Sequence, residues 1–169
     1  MNIRELINEL SVEIGAEIYS KDEALNRLIE LQKEAGAIRD TRTLRREIEE
    51  REQKGNTAVS CRIAVSDVMH KGSKRTTITA LTVKNGVEYG AQDKRPVKLL
   101  FLIAGKSGSD EYQQVKERLK RLLSDTGFTA RLTGARSREE FLSLLTEREK
   151  VKFSPTPTKL QSNKRFISR

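Results

Sequence analysis

Apolar residues recur at two distinct periods along the chain. The capping box Ser20-Lys21-Asp22-Glu23 precedes Leu25, Leu28, Ile29 and Gln32 at helical spacing, and Gly36 supplies a stop. Asp40 caps a second helix predicted to run through Arg51, with Leu44 and Ile48 facing inward and Gly55 beyond its end. A third opens near Ser109-Asp110 and directs Val115, Leu119, Leu122 and Leu123 to one side. A fourth starts from the box Ser137-Arg138-Glu139-Glu140 and is expected to bury Phe141, Leu144 and Leu145.

Between the second and third helices the pattern shortens. Arg62 to Ser66, Thr76 to Val83 and Val97 to Ile103 are short runs rich in Val, Ile and Thr, bounded by Gly, Asn and Pro, and are read as strands. The last is almost continuously apolar, as in a strand covered on both faces. Val12 to Ile18 is read as an edge strand. Helices flanking central strands predict an α/β sandwich. One domain over residues 20–149 is expected, preceded by a segment 1–19 and followed by a tail 150–169.

Composition narrows the chemistry. The 169 residues include one cysteine and one histidine, which removes an intramolecular disulfide, a multi-thiolate metal site and any mechanism needing two imidazoles from one chain. No apolar run reaches the ~20 residues of a membrane span, and the amino-terminal stretch carries acids where a signal peptide is apolar. A cytoplasmic protein without a membrane span is expected. The net charge of +9 suggests nucleic acid, but Lys150, Lys152, Lys159, Lys164, Arg165 and Arg169 supply six of those charges without an acid among them, leaving +3 for the first 149 residues. With Pro155 and Pro157 and little periodicity, 150–169 is read as a disordered basic tail, the one place where weak, salt-dependent attachment to nucleic acid is expected.

Several segments occur together in a familiar order. Lys21-Asp22-Glu23-Ala24-Leu25, Ala35-Gly36-Ala37-Ile38, Glu50-Arg51-Glu52, Asn56-Thr57-Ala58 and Ile63-Ala64-Val65 are followed by Gly86-Val87-Glu88-Tyr89-Gly90-Ala91, Pro96-Val97 with Leu99 to Leu102, and Ser137 to Leu145. This sequence resembles the type-2 IIA domain of the phosphoenolpyruvate-dependent sugar phosphotransferase system, the fructose, mannitol and nitrogen-regulatory group, over roughly Ser20 to Leu145. The resemblance implies a mixed β-sheet sandwiched between α-helices. It also implies a phosphoryl group received on a histidine, held by a nearby arginine, and passed on. A neutral imidazole is a nitrogen nucleophile at cytoplasmic pH, and phosphoryl transfer depends on positioning and electrostatics.

Carried over residue by residue, the resemblance retains the arginine as Arg51, sixteen residues before position 67, and a phosphate-side hydroxyl as Thr57. The acceptor position falls on Asp67, with Ser66 where the family has proline; the second histidine position falls on Tyr112, or on Gln113 if the preceding loop shifts the alignment. Neither position holds histidine. His70 is either a relocated acceptor or an exposed loop histidine, and its odd offset from Asp67 on an extended segment reverses its facing. Cys61 beside Arg62 is expected to be a small buried hydrophobe or, alternatively, a thiol of lowered pKa. Lys71, Lys74 and Arg75 form a basic cluster, either solvated or suited to an anion or acidic surface.

The expected function is therefore a IIA-like protein that has lost histidyl phosphoryl transfer and works as a regulatory protein-binding module. Its partners are other phosphotransferase components or a regulated target, and no cofactor or metal is implied. The alternative is a working phosphocarrier using His70 or Asp67.

Overall fold

Ser20, Asp40 and Ser137 accept the hydrogen bonds that their spacing predicts: Ser20 Oγ from Glu23 N, Asp40 Oδ1 from Thr43 N and Ser137 Oγ from Glu140 N, each at 3.1 Å. In the computed structural model, which describes residues 2–59, 61–106 and 108–153, these caps open three of five helices. The elements run β1 (Val12–Ala16), α1 (Lys21–Glu34), α2 (Thr41–Gln53), β2 (Ala58–Val59), β3 (Ile63–His70), β4 (Thr77–Val87), β5 (Val97–Lys106), α3 (Glu111–Leu122), α4 (Thr126–Thr133) and α5 (Arg138–Phe153). Two short 3-10 turns, Ile3–Leu6 and Glu9–Ser11, precede β1.

The sheet has the order β1-β4-β5-β3-β2 and is mixed: β1 and β4 run parallel, as do β3 and β5, whereas β4–β5 and β2–β3 are antiparallel. It is sandwiched between helices, as the resemblance implies. Alternation along the strands divides the core. Ile63, Val65, Leu99, Phe101 and Ile103 face a cluster completed by Val115, Leu119, Phe128 and Phe141 from α3, α4 and α5. Ala64, Val68, Leu100 and Leu102 face Leu25, Leu28, Leu44 and Ile48 from α1 and α2. β5 lies at the centre and is buried on both faces, which explains its unbroken apolar run. Gln32, placed inward by its period, is fully buried and donates to the carbonyls of Leu102 and Thr77.

Several elements depart from the sequence reading. β3 continues four residues past Ser66, because the polar residues Ser66, Asp67 and His70 are buried by pairing and not by hydrophobicity. β4 continues to Val87 through a register shift, with Gly86 at φ +75 and a Cβ there only 2.8 Å from Pro96 Cβ. α4 was not expected. In α5, Leu142 is buried while Leu144 is only half-buried. That helix runs to Phe153, so residues 150–153 of the expected tail are helical; 154–169 lie outside the described residues. Cys61 is exposed in the turn before β3, where it and Arg62 both take φ +66, and is not the buried hydrophobe expected.

Near the end of α5, the buried Glu149 accepts from the amides of Ile3 (2.7 Å) and Arg4 (3.3 Å) and pairs with Arg118 at 2.7 Å. The first 3-10 turn is thereby fixed to α3 and α5.

Phe101, fully buried with its ring centroid 6.2 Å from that of Phe141, is the side chain to truncate as a test of this core. Phe101→Ala is expected to lower unfolding stability by about 3–5 kcal/mol in chemical denaturation. Tyr19→Ala, at a residue 73% exposed, is expected to change it by less than about 0.5 kcal/mol.

Candidate functional site

β3 pairs with β2 only through Ile63 and Ala64, so beyond this point one side of β3 has no strand neighbour among the described residues. Asp67 lies on this stretch and faces α3, yet it is only 4% exposed. A carboxylate so far out of water requires donors. Lys116 Nζ lies 2.9 Å from Asp67 Oδ2, the same oxygen accepts from the Tyr112 hydroxyl, and Arg51 Nη2 lies 3.7 Å from Oδ1. Tyr112 and Lys116 are one turn apart on α3 and so share a face. Arg51 comes from the last turn of α2 in the opposite helical layer, and its Nη1 also donates to Gly55 O at 3.3 Å.

Tyr112 reaches this position because residue 105 is glycine. A Cβ on Gly105 would sit 2.1 Å from Tyr112 Cδ2, an overlap that neither group can absorb in place. Burial, reinforced by the hydrogen bond to Asp67 and its negative charge, drives the Tyr112 phenol well above the ordinary tyrosine range. It stays a neutral donor. The cluster then holds two cations and one anion.

A second network adjoins the first through consecutive residues of α2. Glu52 accepts from the Tyr89 hydroxyl at 3.2 Å and from Ser66 Oγ at 3.4 Å, and it pairs with Lys21 at 2.8 Å. Thr57 shares a 2.9 Å hydrogen bond with Tyr89, whose phenol is raised chiefly by its own burial. Asn56 Nδ2 donates to the carbonyls of Tyr89 and Gly90, fixing the Gly86–Ala91 segment against the start of β2.

Of the residues singled out from sequence, Arg51, Asp67 and Tyr112 meet directly. Thr57 joins the Tyr89–Glu52 network instead, and Gln113 is exposed. His70 is neither beside the cluster nor in an exposed loop. It ends β3 at 2% exposure, on the opposite face from Asp67, with Nδ1 paired to Glu47 of α2. The odd offset predicts that reversal; its burial comes from α2, which no local pattern reveals. Lys116 escaped the sequence reading, and the signal available for it was its four-residue spacing from Tyr112. Among the described residues no group of three or more His, Cys, Asp or Glu side chains is placed to hold a metal ion, and no helix is long and apolar enough to cross a membrane.

Chemically, Asp67 Oδ2 is held by Lys116 and Tyr112 and Oδ1 faces the Arg51 guanidinium at 3.7 Å, which makes the carboxylate a poor nucleophile and a good counter-ion. The cluster binds negative charge, and Asp67 supplies it.

This fold and this arrangement define a class. Residues 5–148 match the family model of the phosphoenolpyruvate-dependent sugar phosphotransferase system, EIIA 2, and the chain belongs to that family. It is similar to the fructose-specific EIIABC component of Bacillus subtilis (strain 168), 23% identical over 151 residues, which are 89% of this chain and 24% of that protein. The chain thus spans about a quarter of that relative's length. Among solved structures, the nitrogen regulatory protein IIA-Ntr from Neisseria meningitidis superposes with a TM-score of 0.76 at 22% identity, over 85% of this chain and 98% of that one. The IIA mannitol enzyme of Escherichia coli, solved in complex with phosphorylated IIB, gives 0.70 at 23% identity, over 83% and 97%.

Two outcomes check the cluster. A tyrosine pKa raised in the folded state stabilises the fold below the unfolded value of ~10, and that contribution disappears as pH climbs through the raised value. Alkaline titration followed by phenolate absorbance should therefore show Tyr112 ionising later in the folded than in the denatured chain, and earlier in Asp67→Asn than in the parent. Gly105→Ala should push the ring off Asp67 and reproduce the earlier ionisation.

Proposed function

We propose that this chain is a IIA-type domain that no longer relays a phosphoryl group and acts as a regulatory, protein-binding module. One observation carries the reading: a carboxylate, Asp67, fills the centre formed by Arg51, Lys116 and Tyr112, while the chain's single histidine is engaged with Glu47 on the other face of the sheet. Asp67 takes the acceptor position that the family resemblance gives it and Tyr112 the second histidine position, with Arg51 and Thr57 as the retained polar groups.

A donor presenting a phosphohistidine would meet a fixed anion at the point of attack, and no free imidazole stands nearby to receive the phosphoryl group. A carboxylate has one negative charge against about −1.5 to −2 for a phosphoryl group, so Asp67 imitates the phosphorylated state in part. The partners follow from the family: other phosphotransferase components, or a target protein that reads the state of this site. The site works in the cytoplasm and requires no cofactor.

The rival reading is an active phosphocarrier using His70 or Asp67. Incubation with phosphoenolpyruvate, the system's general enzyme and its histidine carrier protein distinguishes them by intact mass. The parent should gain no adduct of ~80 Da, whereas Asp67→His, which restores a nitrogen beside Arg51, should gain one. An adduct on the parent that is lost in His70→Ala or Asp67→Asn overturns the proposal.

A further inference from the structure

The turn joining β3 to β4 carries Lys71, Lys74 and Arg75, all exposed. Lys106, exposed at the end of β5, stands beside it: it is the register partner of His70, and its amide donates to Thr76 Oγ1 at 3.3 Å. None of the four cations makes an ion pair with another described residue. Of the acids on adjoining elements, Glu47 is engaged by His70, Asp67 by Lys116 and Arg51, and Asp40, near enough to His70 to feel its charge, caps α2. Asp110 and Glu111, at the start of α3, are the acids on its side of this sheet end.

The turn is held in shape. Ser73 N donates to His70 O at 3.1 Å, Ser73 Oγ donates to Arg75 O at 2.7 Å, and the His70–Glu47 pair fastens the base of the turn to α2. Cations on a braced loop lose little freedom when they meet a partner. Just before the turn, Met69 is 47% exposed on the Asp67 face of β3, where β2 no longer covers the strand.

We propose that this end of the sheet is a docking surface for an acidic protein segment, with Met69 as the apolar anchor and Lys71, Lys74 and Arg75 of the adjoining turn as its cationic rim. The assignment rests on the protein-binding reading above and adds the surface and the chemistry of the partner. An apolar side chain ringed by charge is how protein interfaces are organised, and opposite charge across the rim steers encounter. A nucleic acid fits less well, because its phosphate backbone gains nothing from an exposed thioether.

The test is an NMR titration of the full ¹⁵N-labelled chain with a short peptide of glutamates around a single leucine, at low and high salt, alongside duplex DNA. Peptide-induced shifts are expected at Met69 to Arg75, and should fade with salt. Lys71→Glu/Lys74→Glu/Arg75→Glu should weaken binding about tenfold or more, whereas Lys106→Glu, on the opposite face, should change it little. Met69→Ala should weaken the peptide about threefold and leave DNA unaffected. Shifts confined to residues 150–169, or unchanged by charge reversal, overturn the proposal, as does tighter DNA binding at the same amides. A mass adduct in the phosphotransfer assay overturns the regulatory reading without touching this titration, so the two fail separately.

Discussion

A carboxylate cannot be taken out of water alone, and the burial of Asp67 organises this end of the molecule. Its donors come from α2 on one side of the sheet and α3 on the other. That convergence is possible because β2 begins only at Ala58, so among the described residues no strand covers β3 beside Asp67, and Arg51 reaches it there. The arrangement fixes the end of α2, the start of α3 and the polar half of β3 relative to one another. Stripping away the partners of Asp67 together would strand charge in a dry place, a cost of about 3–5 kcal/mol for buried pairs in general. The same contacts that stabilise the fold here keep the site supplied with its own anion.

The helices with local start signals were legible because a cap is a property of three or four consecutive residues. Ser20, Asp40 and Ser137 needed no tertiary context. α4 had such a signal in Asp125, whose carboxylate accepts from Phe128 N, but its eight residues include Gly127 and three threonines and show only Phe128 and Leu132 at apolar helical spacing. Packing against the sheet decides it. β3 was cut short for the opposite reason. Ser66, Asp67 and His70 break the apolar pattern, and their burial depends on Glu52, Lys116 and Glu47, partners distant in sequence.

The candidate site was legible through order and spacing, which placed Arg51, Asp67 and Tyr112 in one constellation. Lys116 was not, since one lysine among many on amphipathic helices has no local mark. Cys61 shows the limit of composition-based expectation. Free cysteines are usually buried, but this one falls in a tight turn whose backbone, at positive φ, is set by the β2–β3 hairpin. Thr57 illustrates a middle case: its hydroxyl is buried and satisfied, but by Tyr89, a residue 32 positions away that the Gly86–Ala91 segment brings back to it.

The contact of Glu149 with the amides of Ile3 and Arg4 joins stretches 146 and 145 residues apart. Fraying of the last turn of α5 would leave those amides without their acceptor, and lifting of the leading 3-10 turn would expose a charge that had been shielded. The first 3-10 turn and the last turn of α5 therefore open and close as one cooperative unit, and hydrogen exchange at either reads out the other.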